Sequence, residues 1–223
     1  MGQKIHPRGF RLGQVFTWNS HWFAGSKEYR VLLYEDIKLR EMLFQRLKIA
    51  GLASVEIERS INKIKIVLNV SRPGIVIGRG GSGLEQLKKF IEEFLRNHEF
   101  PSLGSHIKTD TTKIKVDLVV EPVKEPNLSA HLVATNIADQ LIRRLPHKRI
   151  SHQALERVSA AGAKGVRIVL AGRIAGAEIA RREKYQMGTV PLSTIREDVD
   201  FSSVAARTKS GYIGVKVWIC RKS

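Results

Sequence analysis

A glycine-dense turn that carries one arginine is the first place where this chain could do chemistry. It follows the apolar run 75–77 and consists of Gly78, Arg79, Gly80 and Gly81. Glycine adopts backbone conformations that other residues avoid, and its missing side chain lets a phosphate approach the peptide N–H groups. The helix predicted directly after the turn adds positive partial charge at its start. The segment therefore predicts contact with a phosphate backbone.

Three kinds of phosphate-binding turn compete for this segment. The glycines satisfy the G-x-G-x-x-G spacing of dinucleotide-binding turns, but Pro73-Gly74 leaves only three apolar residues where a buried strand is needed. A P-loop needs a Gly-Lys dipeptide, which the chain does not contain. The third alternative is the G-x-x-G loop with which KH domains clamp about four nucleotides. A turn between helices without any ligand is the simplest alternative.

The elements predicted around the turn agree with the order of a KH domain of type II. Hydrophobic periodicity predicts a helix over 27–50, strands near 55–58 and over 63–70, a short helix after Pro73, a helix from about 83 and a strand near 114–120. Ser82 and Glu85 have the spacing of a capping box at the start of the second long helix. This order favours the KH alternative.

The composition favours a polyanionic partner. The 223 residues include 38 Lys and Arg against 21 Asp and Glu, which gives a formal net charge of +17. A surplus of this size favours RNA or DNA first and an acidic membrane second. Hydrophobic residues make up 43%, which suits one large globular domain or two smaller ones.

Cysteine content and hydropathy exclude several classes of protein. The single cysteine, Cys220, excludes an internal disulfide and a zinc site built from cysteines, and it favours a reducing compartment. No apolar run approaches the roughly 20 residues that a membrane span needs. The basic N-terminus lacks the apolar stretch of a secretory signal. We therefore expect a cytoplasmic or organellar protein with no membrane partner.

Catalytic signals are poor throughout the chain. Ser82 lies in a glycine turn, but Leu84 stands where a nucleophile elbow needs glycine. His147 and His152 are five residues apart, whereas helical zinc pairs are four apart. We therefore expect no enzyme activity, no catalytic residue, no cofactor and no metal.

Basic residues recur after a proline-containing stretch at 121–127. The elements predicted beyond it are helices over 128–145 and 148–161, a strand over 166–170, and strands near 187–192, 195–201 and 212–220. Arg144, Lys148 and His152 lie four apart and share a face if the helix is continuous. Like charges on one face cost free energy unless an anion compensates, although a solvated face is the alternative. Trp18, Trp22 and Phe23 could stack on bases or lie in a core.

Several segments resemble the small-subunit ribosomal protein family numbered three, in its bacterial and organellar form. They span nearly the whole chain in order. The matching segments are 1–7, 9–13, 18–20, 22–23, 72–78, 162–165, 172–173, 176–181, 190–192, 198–200 and 214–219.

The resemblance, with the predicted elements, implies an α+β fold in two domains. We expect an N-terminal arm over 1–20, a KH type II domain over 21–121, a linker over 122–127 and a C-terminal α/β domain over 128–223. The second domain is expected to have a mixed or antiparallel sheet with helices on one face.

The resemblance also implies a structural constituent of the small ribosomal subunit. Its expected partners are small-subunit rRNA, mRNA, the head proteins numbered ten and fourteen, and the proteins numbered four and five at the opening where mRNA enters. The expected RNA-binding residues are Arg72, Gly78, Arg79, Gly80 and Gly81 in the KH loop; Lys148, Arg149 and His152, which grip and help unwind mRNA; and Lys4, Arg11, Arg173, Arg181 and Arg182, which bind rRNA. The alternative functions are a free-standing KH regulator of RNA and an RNA- or DNA-processing enzyme.

The chain departs from the pattern of this family at four positions. His152 stands where lysine is common, and histidine is only partly charged near neutral pH. Thr189 and Lys184 stand where the family usually carries arginine and tryptophan. Arg79 is the one basic residue in a loop where many relatives have two. These changes bear on local RNA contacts.

Overall fold

The computed structural model describes residues 4–60, 63–97 and 115–222. The chain divides into two compact units. The N-terminal unit is Trp18–Lys124, and the C-terminal unit combines Met1–Thr17 with Glu125–Ser223. The first residues of the chain therefore fold with its second half.

The helices and strands follow the chain in two groups. Those of the N-terminal unit are β1 (Ser20–His21), α2 (Ser26–Arg46), β2 (Leu52–Ser60), β3 (Lys63–Val70), α3 (Pro73–Ile77), α4 (Ser82–Asn97) and β4 (Lys115–Pro122). Those of the C-terminal unit are α1 (Pro7–Phe10), α5 (Ala130–Ile142), α6 (His147–Ala160), β5 (Gly165–Gly172), β6 (Arg181–Gly188), β7 (Val199–Thr208) and β8 (Gly211–Cys220).

The N-terminal unit confirms the predicted order of helix, two strands, short helix, glycine turn, helix and strand. Its sheet has the order β1-β2-β3-β4, in which β2 and β3 are antiparallel and the other neighbours are parallel. Helix α2 ends at Arg46 rather than near residue 50. The predicted start of the last strand, Ile114, lies outside the described residues.

Alternating apolar residues fix the core of this unit. Ile57, Ile66 and Leu68 are fully buried and pack against Leu43 of α2 and Ile91 of α4. Burying an aliphatic side chain of this size contributes about 1.5–3 kcal/mol. The core therefore holds α4, and with it the glycine turn, against the sheet.

The C-terminal unit is built on an antiparallel sheet of order β6-β5-β8-β7. Helices α5 and α6 cover one side, which we call the helix face, where Ile137 and Val158 meet Ile168 and Val217. We call the other side the open face. This sheet and its two long helices on one face confirm the predicted architecture of the second domain.

The open face is covered only in part. Trp218 and Phe201 lie there, and the His6 ring meets Phe201 edge-on at 5.0 Å between centroids. Val190 packs into the same cluster from the segment between β6 and β7. The N-terminal residues and this segment thus form a second apolar layer on the sheet.

Two strand predictions in this unit were wrong. The strand expected near 187–192 is β6, which ends at Gly188, because Pro191 cannot donate to a sheet and Val190 is buried by packing on the open face. The strand expected near 195–201 is β7, which begins at Val199 and runs to Thr208. Beyond Phe201 the alternation weakens, because Ser203 is polar and Ala205 is small, so periodicity did not predict the rest of the strand.

Candidate nucleic-acid interface

The glycine turn has a backbone that only glycine tolerates well. Helix α3 ends at Ile77 and is followed by its C-cap, Gly78, which has φ 71° and ψ −176°; a 3-10 turn over Arg79–Gly81 then leads into α4. Gly80 and Gly81 also have positive φ, 60° and 81°. A side chain at such φ values is strained, most of all in the combination that Gly78 adopts.

The glycines of the turn serve two different purposes. A Cβ atom on Gly83 would lie 2.6 Å from the Val76 carbonyl oxygen, and one on Gly78 would lie 3.0 Å from the Gly83 nitrogen. These two glycines let α3 and α4 approach each other. A Cβ on Gly80 or Gly81 would meet no atom of the described residues within 4 Å. The outer side of the loop is therefore open to a ligand.

The arginines beside the loop are exposed. Arg72 precedes α3 and Arg79 lies at the tip. The Ser82 hydroxyl donates to the Arg79 carbonyl at 3.0 Å, so Ser82 braces the loop rather than capping α4 with Glu85. Gly78, Arg79, Gly80 and Gly81 thus lie together at the C-terminal end of α3, and Arg72 lies at its N-terminal end.

The start of α6 carries the second predicted cluster. Its first three residues are His147, Lys148 and Arg149, and its N-cap is Pro146, which has no side-chain acceptor. Cations at this end of a helix oppose the helix dipole, at about 0.3–1 kcal/mol each. The unpaired N–H groups of the first turn and the cations both favour an anion.

Strand β6 supports this helix start from the side. His147 Nε2 lies 3.1 Å from Glu183 Oε2, and the Tyr185 hydroxyl donates to the same carboxylate at 2.6 Å. The His152 ring meets Tyr185 edge-on at 5.7 Å between centroids. Sequence reasoning missed Glu183 and Tyr185; their alternation with Arg182 and Lys184 was the available signal.

The charge states of this support follow from its contacts. The hydrogen bond from Tyr185, aided by the nearby charges of His147, Arg181 and Lys148, lowers the pKa of Glu183. Burial, then the bond to Glu183, raises the pKa of Tyr185 to about 12. Glu183 is therefore ionised and Tyr185 protonated at neutral pH.

Arg144 does not share the face of Lys148 and His152. Helix α5 ends at Ile142, and Arg144 lies in the connection to α6 with φ 61°. The condition of a continuous helix is not met, because Pro146 interrupts it. Lys148, Arg149 and His152 remain exposed together on α6.

The residues predicted to bind rRNA fall into two groups. Lys4, Arg173, Arg181 and Arg182 are exposed. The Arg173 side chain is held by a 2.8 Å hydrogen bond from its Nε to the Ala177 carbonyl. Arg181 and Arg182 are successive residues of β6 and therefore point to opposite faces of the sheet.

The prediction for Arg11 was wrong. Its side chain is 0% exposed, and its guanidinium donates to the carbonyls of Pro7, Pro191, Leu192 and Thr194 at 2.8–3.2 Å. The irregular segment between β6 and β7 cannot satisfy these carbonyls in a ladder, so a planar five-donor side chain does so. Arg11 is a clamp inside the C-terminal unit and is closed to a phosphate.

The aromatic residues near the N-terminus separate in the structure. Trp22 donates from Nε1 to Asp36 at 2.8 Å, a carboxylate that also accepts from Arg59 and Ser20. Trp18 and Phe23 are 67% and 97% exposed. Trp22 thus anchors the segment, and the other two rings are open to solvent.

The described ranges contain neither a metal-ion cluster nor a membrane-spanning helix. No group of three or more His, Cys, Asp or Glu side chains there could hold a metal ion. No helix of the described chain is long and apolar enough to cross a membrane.

The fold and its surfaces define an α+β protein in which a KH-type unit is joined to a second, basic α/β unit. Residues 38–128 match the family described as "KH domain", and residues 137–219 match "Ribosomal protein S3, C-terminal domain". Three curated relatives are each named "Small ribosomal subunit protein uS3". That of Desulforudis audaxviator is 44% identical over 221 residues, 99% of this chain and 94% of the relative. That of Myxococcus xanthus is 44% identical over 221 residues, which are 99% of this chain and 92% of the relative. That of Syntrophobacter fumaroxidans is 46% identical over 219 residues, which are 98% of this chain and 97% of the relative.

The chain belongs to the uS3 family of small ribosomal subunit proteins. This membership confirms the predicted family and the KH domain. The family consists of structural components of the small subunit, a cytoplasmic particle in bacteria, rather than of enzymes.

Proposed function

We propose that this chain binds folded small-subunit rRNA through its exposed cations and grips mRNA with Lys148, Arg149 and His152. The observation that carries the proposal is the start of α6, where three successive basic residues occupy a helix end that already favours anions. A polyanion that neutralises these charges stabilises such an arrangement. Membership of a small-subunit family supplies the two RNAs that could do so.

The chemistry of the α6 cluster suits mRNA of any sequence. Contacts from exposed Lys and Arg to phosphates position a strand but carry no sequence information. Each neutralised phosphate releases counterions, so the grip weakens steeply with salt. The support from Glu183 and Tyr185 holds the start of α6 on the sheet. The cations are therefore held in place when the mRNA moves past them.

The KH loop offers a second RNA contact on the N-terminal unit. Gly80 and Gly81 leave the backbone accessible, Arg79 lies within the loop, and Arg72 lies at the other end of α3. A single strand can lay its phosphates on the loop, as KH loops do. We propose rRNA as the ligand here, with proteins ten and fourteen as neighbours in the head and proteins four and five beside the α6 cluster.

The test of the mRNA grip is the double variant Lys148→Ala/Arg149→Ala. We expect slower translation through an mRNA hairpin, unchanged translation of an unstructured message and normal assembly of small subunits. The matched control is Lys124→Gln/Lys222→Gln, which removes two exposed charges elsewhere. Wild-type speed through the hairpin in the α6 variant would refute the grip.

Sedimentation distinguishes the ribosomal role from a free-standing regulator or enzyme. A subunit constituent co-migrates with small subunits after a high-salt wash. A KH regulator or processing enzyme is released into the top fractions. Release of the chain would contradict the proposal.

A further inference from the structure

One half of the open face of the C-terminal sheet is left uncovered by the described residues of its own unit. Residues directly opposite each other in antiparallel strands point to the same face, so the register assigns each side chain. Phe201, Trp218 and Val169 mark the half that the N-terminal residues and the segment after β6 cover. We call the remainder the bare half. Its residues are Ala171, Arg182, Lys184, Ser203, Ala205, Arg207, Tyr212, Gly214 and Lys216.

The charges on the bare half all have one sign. Arg182, Lys184, Arg207 and Lys216 are exposed, and none pairs with a carboxylate of the described residues. The acid of β6, Glu183, points to the helix face, where it meets His147. Four like charges on one surface repel each other unless an anion neutralises them.

Two acidic residues, Glu197 and Asp198, lie at the other end of the sheet. Glu197 pairs with Lys164, and Asp198 lies 3.4 Å from Arg221. These pairs lie next to the start of β5 and the end of β8. Arg207 and Tyr212 lie at the opposite end of the sheet. Four cations of the sheet without such a partner, Arg182, Lys184, Arg207 and Lys216, thus lie together on the bare half.

The shape of the bare half suits a backbone lying across it. Ala171, Gly214 and Ala205 form one cross-strand row that ends at Arg182 on the β6 edge. A row of such small side chains makes a flat floor. Neighbouring strands are about 4.8 Å apart, so Lys184 on β6 and Lys216 on β8 stand about 10 Å apart on either side of β5.

The hairpin between β7 and β8 adds an aromatic ring at the end of this floor. Arg207 lies directly opposite Tyr212, whose side chain is 66% exposed. The Thr208 hydroxyl donates to the Gly211 carbonyl at 2.7 Å and fixes the turn. A cation beside an exposed ring is the combination that binds phosphate and base of an unpaired nucleotide together.

We propose that the bare half is a docking surface for the phosphate backbone of small-subunit rRNA, with Tyr212 stacking on an unpaired base at its edge. The inference rests on the proposed function, because it names a surface through which the chain would bind rRNA. It does not involve the α6 cluster, which lies on the helix side of the unit. The observations that carry it are the four cations of one sign, the flat floor of small side chains and the exposed Tyr212 ring.

The first test is the affinity of the purified protein for transcribed small-subunit rRNA as a function of salt. Lys184→Gln/Lys216→Gln removes two phosphate contacts, so the slope of log affinity against log salt should fall by about 1.5–2. Lys124→Gln/Lys222→Gln removes the same charge from other places and should change the slope by much less. Equal slopes for the two variants would overturn the proposal.

The second test places a hydroxyl-radical source on the floor through Ser203→Cys in reconstituted small subunits. The native thiol does not compete, because burial, then its bond to Glu197, raises the pKa of Cys220 to about 11. Strong cleavage of rRNA from position 203 supports the proposal. Assembly with no rRNA cleavage, or capture of a protein or a second copy at this position, overturns it. Failure to enter the subunit would instead refute the proposed function.

Discussion

The Tyr185 hydroxyl donates a 2.6 Å hydrogen bond to Glu183, and this pair ties the edge strand β6 to the first turn of α6. Through His147 and His152 the pair contacts both ends of the segment that displays Lys148 and Arg149. The positions of Lys148, Arg149 and His152 are therefore fixed by contacts with the sheet as well as by their own helix.

We predict that Glu183→Gln loses stability at neutral pH and little below about pH 4. The pKa of Glu183 is lowered in the folded chain, so its stabilisation is present above the unfolded pKa of about 4.3 and is lost as pH falls through the folded value. The group is near the surface, which limits the effect to less than about 1 kcal/mol. Thermal unfolding of both proteins from pH 3 to 8 checks this, and a difference that grows at low pH would contradict it.

Arg11→Lys should destabilise the C-terminal unit strongly. Lysine cannot span the four carbonyls that the guanidinium reaches, so buried acceptors lose their donors, at about 1–3 kcal/mol each. Denaturant unfolding measures the loss. Lys4→Gln is the control, since Lys4 is exposed and should leave stability unchanged. Equal stability of the Arg11 variant and wild type would show that the clamp is dispensable.

Asp36→Asn should destabilise the N-terminal unit. Asp36 is fully buried and accepts from Arg59 at 2.6 Å, so the variant leaves a buried guanidinium with Glu35 alone. Breaking a buried pair in this way costs about 3–5 kcal/mol. Glu41→Gln breaks only the exposed pair with Lys38 and should cost less than about 1 kcal/mol. Urea unfolding of the two variants measures the difference. If their unfolding midpoints coincided, the stabilising role of Asp36 would be refuted.

The glycine turn predicts different outcomes for two similar variants. Gly83→Ala forces a Cβ to 2.6 Å from the Val76 carbonyl and should lower stability, because α3 and α4 must separate. Gly80→Ala has open space and bears only the strain of a positive φ, about 1 kcal/mol. Its main effect should be weaker RNA binding, because the new methyl group covers the exposed loop backbone. Filter binding and thermal unfolding of both variants separate the two roles, and unchanged RNA affinity for Gly80→Ala would contradict a ligand at the loop.

The sequence predicted the elements that carry strong apolar periodicity. Strand β3 was found because Ile64, Ile66 and Leu68 alternate over a buried face, and the glycine turn was found because its composition is rare. Strand β6 was misplaced because Arg181–Gly188 is a polar edge strand whose pairing is decided by β5 rather than by its own residues.

Contacts between residues far apart in the chain account for most of the features that the sequence did not predict. Arg11 is of the residue type expected for an RNA contact, but three of the carbonyls that it binds lie about 180 residues later in the chain. Glu183 and His147 likewise meet only through the packing of α6 on β6. The bare half became visible only once the register had assigned Lys184, Arg207 and Lys216 to one face.

Photo-crosslinking from position 149 in intact ribosomes tests the central claim most directly. A crosslinking residue in place of Arg149, at the exposed start of α6, should capture mRNA on small subunits paused during translation. Crosslinks confined to rRNA or to protein, in ribosomes that carry mRNA and contain the chain, would contradict the account.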